Sequence, residues 1–349
     1  MSDTPQARAR IVQIGWDQDL AWEPDAGPPP EPTGAQVLVQ VEACGVCYRD
    51  CIDRAGRFPF IQTPVTPGHE AVGRVIAAGP DVTEWAVGDR VATMHRDSCG
   101  ACDSCQRGEP SLCTGAYWVY GLMVDGGYAR YVLAPQSSLY AASEAMSAET
   151  AAVLHCTFGT AWRGLNRFGR PKEGDRVLIT GANGGVGAAA VKLASRIGAD
   201  VTAVVRSEEH RAFLMGQGAS RVVVDPGQGF HKKLDGERMD LALDCVGQPT
   251  FNASLRSLRM GGGMVVVGNV VPVKAELNLG YIVVNGIWLV GSSGATRDDM
   301  REVVALFDQE PFEAPIHARM ALAEADAAQR AVQAGGLTGR IVLMPEQGA

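Results

Sequence analysis

The sequence lacks the marks of membrane-inserted and exported proteins. Its 349 residues contain no apolar stretch of about 18 residues, the length that a membrane-spanning helix needs. Arg8 and Arg10 stand near the start, but no apolar segment follows them as it would in a secretory signal peptide. We therefore expect a cytoplasmic protein with no membrane partner.

The sequence also lacks an excess of positive charge, internal repeats and low-complexity tracts. The formal net charge is −8, so nothing indicates a general affinity for nucleic acid. Charged residues make up 20% and hydrophobic residues 46% of the chain, which is typical of a folded globular protein. A chain of 349 residues is too long for one small core and predicts two domains.

The nine cysteines do not indicate a disulfide framework. Their number is odd, and disulfides are rare in proteins that carry no export signal. Reduced thiols that stand in clusters predict metal ligands or catalytic groups instead.

Two patterns of secondary structure divide the chain. Up to about residue 155, short β-branched runs at 37–41, 71–76 and 90–93 predict a β-rich region with long loops. From about residue 175, six continuous apolar runs alternate with helical stretches such as 186–197, as in parallel strands covered on both faces. The six runs are 176–180, 200–205, 221–224, 241–244, 264–267 and 287–290.

The six runs predict an α/β fold with a doubly wound parallel sheet, the nucleotide-binding architecture. After residue 295 the pattern predicts a helix at 298–307 and a final strand at 340–344. These elements are too few for a third domain, so we expect them to return and complete the first one.

Four cysteines form the first metal-binding motif, Cys99-x-x-Cys102-x-x-Cys105-x7-Cys113. Four thiolates satisfy a tetrahedral Zn²⁺ completely, which is typical of a structural site. The alternative without a metal ion is that these are four unrelated surface cysteines. An iron–sulfur cluster is another, but its usual spacing ends with proline after the last cysteine, and Thr114 follows here.

A second, dispersed set combines Cys47, His69 and Cys156. Two thiolates and one imidazole leave a tetrahedral Zn²⁺ one position short, and that open position can hold water or a substrate oxygen. Each residue alone is weak evidence, because a lone cysteine or histidine is more often a packing residue. Beside the four-cysteine loop, the set predicts a catalytic zinc site.

A glycine-rich turn joins the first parallel strand to the next helix. Its glycines let the backbone approach a pyrophosphate, and the helix N-terminus offers unpaired N–H donors. The spacing is GxxGxxG, one residue longer at the first turn than GxGxxG. The turn consists of Gly181, Gly184, Gly185, Val186 and Gly187, with Ala182 and Asn183 after the first glycine.

These motifs resemble those of zinc-containing medium-chain dehydrogenases/reductases, and the resemblance covers nearly the whole chain. The shared motifs, in order, are GVCxxD at 45–50, PGHE at 67–70, the four-cysteine loop, Cys156 before Thr160-Ala-Trp, and the glycine turn. The resemblance implies a GroES-like catalytic domain of residues 1–155 and 296–349, a Rossmann domain of residues 156–295, and an active cleft between them.

Within that superfamily the sequence is similar to acryloyl-coenzyme A reductases. The segments that carry this narrower resemblance are 47–50, 180–187, 247–251, 260–262, 267–270 and 279–281.

The resemblance also implies roles for single residues. Cys47, His69 and Cys156 match the catalytic zinc ligands, and Glu70 matches a carboxylate that lies beside the metal and exchanges with its water. Asp50 matches the group that orients the ligand histidine.

Other residues match the cofactor site. Thr160 and Val270 would flank the nicotinamide, and Arg340 would contact the pyrophosphate. The remaining residues expected at the cofactor are the glycine turn, Arg206, Ser207, Val246, Gly268 and Asn269.

One departure bears on the reaction. Alcohol dehydrogenases of the family usually carry serine or threonine two residues after the first ligand, whereas Arg49 stands here, and Ile52 replaces the frequent histidine. A guanidinium cannot accept a proton at neutral pH. The departure favours reduction of an activated C=C bond, with zinc polarising the carbonyl of an unsaturated thioester, hydride added at Cβ and a proton at Cα.

Two neighbours of Cys47 have open interpretations. Tyr48 is the candidate proton donor, and packing against the cofactor is its alternative. Arg49 could steer an anionic substrate such as an acyl-coenzyme A, and a salt bridge with Asp50 or Asp53 is its alternative.

The end of the second parallel strand predicts NADP(H) over NAD(H). NAD-preferring folds place an acid there, whereas a 2′-phosphate needs a cation, and Arg206-Ser207 follow Val205. Glu208 and Glu209 come next, but behind an N-cap serine they belong to a first helical turn, where acids are favoured anyway.

Two other functions stay open, an alcohol or aldehyde dehydrogenase with an unusual relay and a non-catalytic cofactor-binding protein. The complete ligand set argues against the latter. We also expect two zinc ions per chain, a small-molecule substrate, and a homodimer or homotetramer. The resemblance implies that the strand near 287–290 pairs across a two-fold axis, which would protect an apolar edge.

Overall fold

The computed structural model describes residues 7–58, 60–115, 118–227, 229–270 and 273–345. The chain forms two compact units. The first combines the described residues up to Cys156 with those from Thr296 onward, and the second spans Thr157–Ala295. Cys156 therefore belongs to the first unit, one residue beyond the predicted boundary.

The first part of the chain is β-rich and contains short helices. Its elements are β1 Arg10–Val12, β2 Ala21–Glu23, β3 Gln36–Val46, α1 Tyr48–Arg54, β4 Glu70–Ala78, β5 Arg90–Thr93, α2 Asp103–Gln106, β6 Tyr131–Pro135, β7 Leu139–Ala141 and α3 Ala148–Val153. A π-helical turn, His155–Gly159, follows α3.

Strands and helices alternate in the second unit. Its elements are α4 Thr160–Leu165, β8 Arg176–Thr180, α5 Gly185–Arg196, β9 Asp200–Val205, α6 Arg211–Gly216, β10 Arg221–Val224, β11 Met239–Asp244, α7 Gln248–Ser257, β12 Leu258–Val266, α8 Leu279–Asn285 and β13 Trp288–Gly291. The chain then returns to the first unit with α9 Arg297–Gln309, β14 Ile316–Ala321, α10 Ala325–Ala334 and β15 Arg340–Met344.

The sheet of the second unit is parallel, in the order β10-β9-β8-β11-β12-β13. This order reverses between β8 and β11, which defines the doubly wound fold and confirms the predicted fold class. In such sheets, ligands bind outside the carboxyl ends of the strands at the reversal. The glycine turn and the residues after β9, β11 and β12 lie at those ends.

The main sheet of the first unit is mostly antiparallel, in the order β14-β15-β3-β4-β5-β7, with β6 also paired to β3. β15, from the end of the chain, pairs antiparallel with the last residues of β3, so that Ile341 lies opposite Val46. The elements after residue 295 thus contribute a central strand to the first unit. Its core packs apolar side chains of β3, β4, β6 and β15 with residues of α10.

Among the helices of the described residues, none is both long enough and apolar enough to cross a membrane.

Candidate active site

Two groups of metal-ligating side chains assemble in the first unit. In each group the ligand atoms all lie within 4.8 Å of one another. One group consists of Cys47, His69, Glu70 and Cys156, and the other of Cys99, Cys102, Cys105 and Cys113. The structure therefore brings together each set of residues that the sequence analysis grouped.

Adjacent strand ends deliver three members of the first group. Cys47 directly follows β3, and Glu70 opens β4, the antiparallel neighbour of β3. Gly45 lies opposite Glu70, and a Cβ at Gly45 would lie 2.2 Å from a carboxylate oxygen of Glu70. Cys156 comes from the π-helical turn after α3, a local geometry that is frequent at functional sites.

The two thiols of this group are electrostatically coupled. The Sγ atoms of Cys47 and Cys156 lie 3.8 Å apart. The hydrogen bond from Cys156 lowers the pKa of Cys47 well below its usual value against the effect of burial, and Arg340 adds to the lowering. The same contact raises the pKa of Cys156 well above its usual value. The pair thus favours one thiolate, the form that binds metal ions.

Asp50 connects the histidine to the first cysteine. Its Oδ1 lies 3.0 Å from Nδ1 of His69, and its Oδ2 accepts hydrogen bonds from the amide of Cys47 at 2.9 Å and the hydroxyl of Tyr128 at 2.8 Å. Burial and Arg49 lower the pKa of His69, but Asp50 and Cys47 outweigh them and raise it to about 9. This arrangement leaves Nε2 of His69 to face the other ligands.

Glu70 is fully buried beside a cation. Nη2 of Arg340 lies 3.1 Å from Oε1 of Glu70 and 3.7 Å from Sγ of Cys156. Burial raises the pKa of Glu70 to about 7, although Arg340 opposes the rise. Neither oxygen of Glu70 accepts a hydrogen bond from a described residue, and Oε1 lies 3.8 Å from Nε2 of His69. Buried carboxylate oxygens that accept no hydrogen bond and lie among thiols and an imidazole fit a carboxylate beside a metal ion.

The residues that follow Cys47 have different environments. Tyr48, the first residue of α1, is half-buried. Arg49 donates from Nε to Oδ2 of Asp53 at 2.9 Å and from Nη2 to the carbonyl of Tyr120 at 2.6 Å. Arg49 therefore forms the salt bridge that was the alternative to substrate steering, and its guanidinium is committed to the protein.

The four-cysteine loop has the geometry of a closed site. The Sγ atoms of Cys102 and Cys105 lie 3.5 Å apart, those of Cys99 and Cys113 lie 3.4 Å apart, and Cys102 lies 3.8 Å from Cys113. Gly100 adopts a φ of +67°, a left-handed conformation that allows the bend between the first two cysteines.

Both groups have the spacing that zinc requires. A tetrahedral ion with Zn–S bonds of about 2.3 Å places its sulfurs about 3.8 Å apart. The S–S distances of 3.4–3.8 Å in the loop and 3.8 Å in the first group are close to that value. The donor sets differ, since four thiols leave no open position, whereas the first group can leave one.

The expected cofactor residues of the second unit line one edge of its sheet. Gly181 adopts a φ of +57°, Gly184 is the N-cap of α5, and a Cβ at Gly187 would lie 2.3 Å from the carbonyl oxygen of Gly181. Glycine is therefore required for the close packing of α5 against the turn. Val246, Gly268, Asn269 and Val270 follow β11 and β12 at the same edge, and Thr160 opens α4.

The acids after β9 have neighbouring side chains as local partners. Arg211 donates to both carboxylate oxygens of Glu208, and Glu209 lies 3.3 Å from Nε2 of His210. Arg206 is exposed, and Ser207 is the N-cap of the short 3₁₀ helix Glu208–His210.

Comparisons with known proteins agree with these observations. Residues 33–144 match the alcohol dehydrogenase GroES-like domain, and residues 185–309 match the zinc-binding dehydrogenase domain. An acryloyl-coenzyme A reductase of Metallosphaera sedula is 34% identical over 315 residues, which cover 90% of this chain and 93% of the relative. The chain belongs to the zinc-containing medium-chain dehydrogenases/reductases.

Two further comparisons cover most of the chain. An alcohol dehydrogenase of Geobacillus stearothermophilus is 34% identical over 281 residues, 79% of this chain and 82% of the relative. The crystal structure of AibC superposes with a TM-score of 0.89 at 36% identity and covers 97% of this chain and 96% of that one.

As a medium-chain dehydrogenase/reductase, the chain is a zinc-dependent oxidoreductase that uses a nicotinamide cofactor and a small-molecule substrate. The non-catalytic alternative is therefore wrong. The resemblance to acryloyl-coenzyme A reductases is confirmed as a resemblance.

Sequence reasoning missed two contacts of the metal-ligand group. The first is Tyr128, which is fully buried and donates a hydrogen bond to Asp50. A Cβ at Gly68 would lie 2.3 Å from the ring of Tyr128. The glycine of the PGHE motif was therefore the available signal for a side chain packed at this position. Arg340 was expected at a pyrophosphate, and it lies against Glu70 and Cys156. Its contact with a cofactor stays a prediction.

Proposed function

We propose that this oxidoreductase reduces the activated C=C bond of an α,β-unsaturated thioester or enone with NADPH. The observation that carries the proposal is the environment of Arg49. It stands where family members that oxidise alcohols carry a relay hydroxyl, and its guanidinium is held by Asp53 and by the carbonyl of Tyr120. A guanidinium so placed cannot relay an alcohol proton.

The donor chemistry of the first group fits a zinc ion. Cys47, His69 and Cys156 would hold it, and Glu70 would lie beside it as an exchangeable carboxylate. When bound there, Zn²⁺ supplies a Lewis acid that polarises a carbonyl oxygen, and the nicotinamide cofactor supplies the hydride. Asp50 fixes the His69 ring in this arrangement through its bond to Nδ1.

A proton must also reach Cα of the reduced product, because hydride adds only at Cβ. Tyr48 is the proposed donor at its phenol Oη, since it follows Cys47 directly and is half-buried. The neighbouring Arg49 is committed to two acceptors and holds its protons permanently.

The proposed preference for NADPH is supported by the charges after β9. Glu208 is paired with Arg211 and Glu209 lies near His210, so both acids that could bind ribose hydroxyls already have partners. Arg206 is exposed at the end of the strand, where a 2′-phosphate would need a cation.

A substrate panel tests the proposed reaction. The purified zinc-loaded protein is mixed with NADPH and crotonyl-coenzyme A, acryloyl-coenzyme A, an enone, an aldehyde or a ketone, and the loss of NADPH absorbance is followed. Alcohols with NADP⁺ test the reverse chemistry. We expect turnover of the unsaturated thioester or the enone and little turnover of alcohols.

The matched variants for this assay are Cys156→Ala and Cys51→Ala. Both remove a thiol from the first unit, but Cys51 bonds the carbonyl of Gln329 and lies outside the ligand group. Cys156→Ala should lose one zinc ion per chain and nearly all activity, whereas Cys51→Ala should keep both. Turnover of alcohols or aldehydes alone would favour the second candidate, a zinc-dependent alcohol dehydrogenase or carbonyl reductase.

We further propose that the enzyme assembles through the free edge of its parallel sheet. Among the described residues, β13 is an edge strand that pairs with β12 alone, so its other side offers unpaired backbone groups to a second copy. Apolar side chains surround this edge, with Val283 77%, Val284 74% and Trp288 65% exposed. Contiguous apolar surface beside an open strand favours association of two chains.

A further inference from the structure

Asp244 is a buried carboxylate for which the metal and cofactor roles above give no function. It ends β11, next to the point where the strand order reverses, and is completely buried. None of the ion pairs among the described residues involves it. Its carboxylate oxygens instead accept hydrogen bonds from two backbone amides and two hydroxyls.

The two oxygens of Asp244 face different partners. Oδ1 accepts from the amides of Val246 at 3.1 Å and Gly247 at 2.7 Å. Oδ2 accepts from the hydroxyl of Ser254 at 2.7 Å, inside α7. The hydroxyl of Thr250 lies within 2.9 Å of both oxygens. Oδ1 therefore binds both amides of the loop after β11, Oδ2 binds Ser254 of the helix that follows, and Thr250 of that helix bonds both oxygens.

The backbone of Asp244 holds a second loop. Its carbonyl accepts from the amides of Val267 at 2.9 Å and Gly268 at 3.2 Å, directly after β12. The amide of Val270 donates to the carbonyl of Val246 at 3.0 Å, which joins the two loops. Gly247 adopts a φ of +98°, which glycine accommodates without a steric penalty but at a large cost in conformational entropy.

The restrained loop also touches the glycine turn. A Cβ at Gly181 would lie 2.9 Å from Cγ2 of Val246, so that side chain packs against the first glycine. The hydroxyl of Thr180 accepts from the amide of Cys245 at 3.1 Å. Loops after β8, β11 and β12 thus form one connected rim, and Asp244 lies beneath it.

We infer that Asp244 is a positioning residue that pre-forms this rim for the nicotinamide dinucleotide. The inference rests on the proposed cofactor site at the carboxyl ends of these strands. A pre-formed rim lowers the conformational entropy lost on binding, so removal of the restraint should weaken cofactor binding and leave the chemistry of the bound complex unchanged.

Three variants of the zinc-loaded enzyme test the inference. In Asp244→Ala the two loop amides lose their acceptor, and we expect the Kd for NADPH to rise about tenfold or more, with kcat at saturating NADPH within about threefold of wild type. Asp244→Asn keeps one acceptor oxygen for these amides and should stay within about threefold in Kd.

Ser254→Ala is the matched control, because it removes a bond to the same carboxylate on the helix side. Its Kd should change by no more than about twofold. A wild-type Kd in Asp244→Ala, or equal weakening in Asp244→Ala and Ser254→Ala, would overturn the inference. A wild-type protein that binds neither NADPH nor NADH would instead refute the proposed function.

If Asp244→Ala fails to fold, amide hydrogen exchange of the wild-type enzyme tests whether the rim is formed before the cofactor binds. The amides of Val246 and Gly247 should exchange slowly without cofactor, because Asp244 already holds them. Fast exchange that becomes slow only when NADPH is added would mean that the cofactor forms the rim, and the inference would be wrong.

Discussion

At the scale of single residues, the proposed preference for NADPH over NADH rests on Arg206. A charge-assisted bond to a 2′-phosphate contributes about 1.5–3 kcal/mol, which corresponds to about 10- to 150-fold in affinity. We expect Arg206→Ala to lower kcat/KM for NADPH by a factor in that range and to change kcat/KM for NADH less than about threefold. Initial rates with each cofactor measure both values.

Arg238→Ala is the control for this prediction. Arg238 is also an exposed arginine of the second unit, but it precedes β11 at the opposite edge of the sheet and bonds the carbonyl of Arg256. Its removal should leave the cofactor ratio unchanged. A wild-type enzyme that prefers NADH, or equal losses with both cofactors in Arg206→Ala, would contradict the argument.

Single residues also show what the sequence could and could not predict about the site. The grouping of Cys47, His69 and Cys156 followed from their motifs and the family resemblance, because the residue types of the ligands and their order along the chain can be read from the sequence. The ion pair of Arg340 with Glu70 could not be foreseen in the same way. It depends on β15 pairing with β3 across some 300 residues of chain, a register that no local pattern specifies.

At the scale of elements, the four-cysteine loop buries little apolar surface besides its cysteines. α2 has no buried residue, and in the short 3₁₀ helix after it, Pro110–Leu112, the buried residue is the polar Ser111. A segment with so little buried apolar surface opens readily unless a metal ion restrains it.

We expect Cys102→Ser to lose the loop zinc and to be cut by trypsin after Arg107 about tenfold faster or more than wild type. Arg107 is the C-cap residue directly after α2 and is exposed. Cleavage after Lys274, an exposed residue of the second unit, should be unchanged and is the internal control. Mass spectrometry of the fragments measures both rates, and wild-type cleavage after Arg107 in the variant would contradict the prediction.

Elements also differ in how well their bounds could be predicted. The strands 176–180, 200–205 and 221–224 agree with β8, β9 and β10, because parallel strands covered on both faces form continuous apolar runs. β3 was expected to end at residue 41 and continues to Val46. Its polar Glu42 and its Gly45 break the apolar pattern, yet pairing with β4 and β15 extends the strand.

At the scale of the whole molecule, the proposed assembly depends on the apolar edge formed by α8 and β13. Val284 is 74% exposed on α8, and a two-fold axis would bury it once in each chain. Val284→Asp would then bury two carboxylates without partners, and we expect the dissociation constant to rise by about 100-fold or more. Light scattering during size-exclusion chromatography at micromolar concentration should show the assembled mass halved.

Val87→Asp controls for the cost of placing a new carboxylate on the surface. Val87 is 65% exposed in a loop of the first unit, away from α8 and β13 in the sequence and in the other unit of the fold. Because the edge is the proposed contact, Val87→Asp should keep the wild-type mass. A wild-type enzyme that elutes as a single chain would contradict the proposed assembly, because unpaired strand groups beside exposed valines would then persist in the isolated chain. A Val284→Asp variant that stays assembled would likewise mean that the apolar edge has another role.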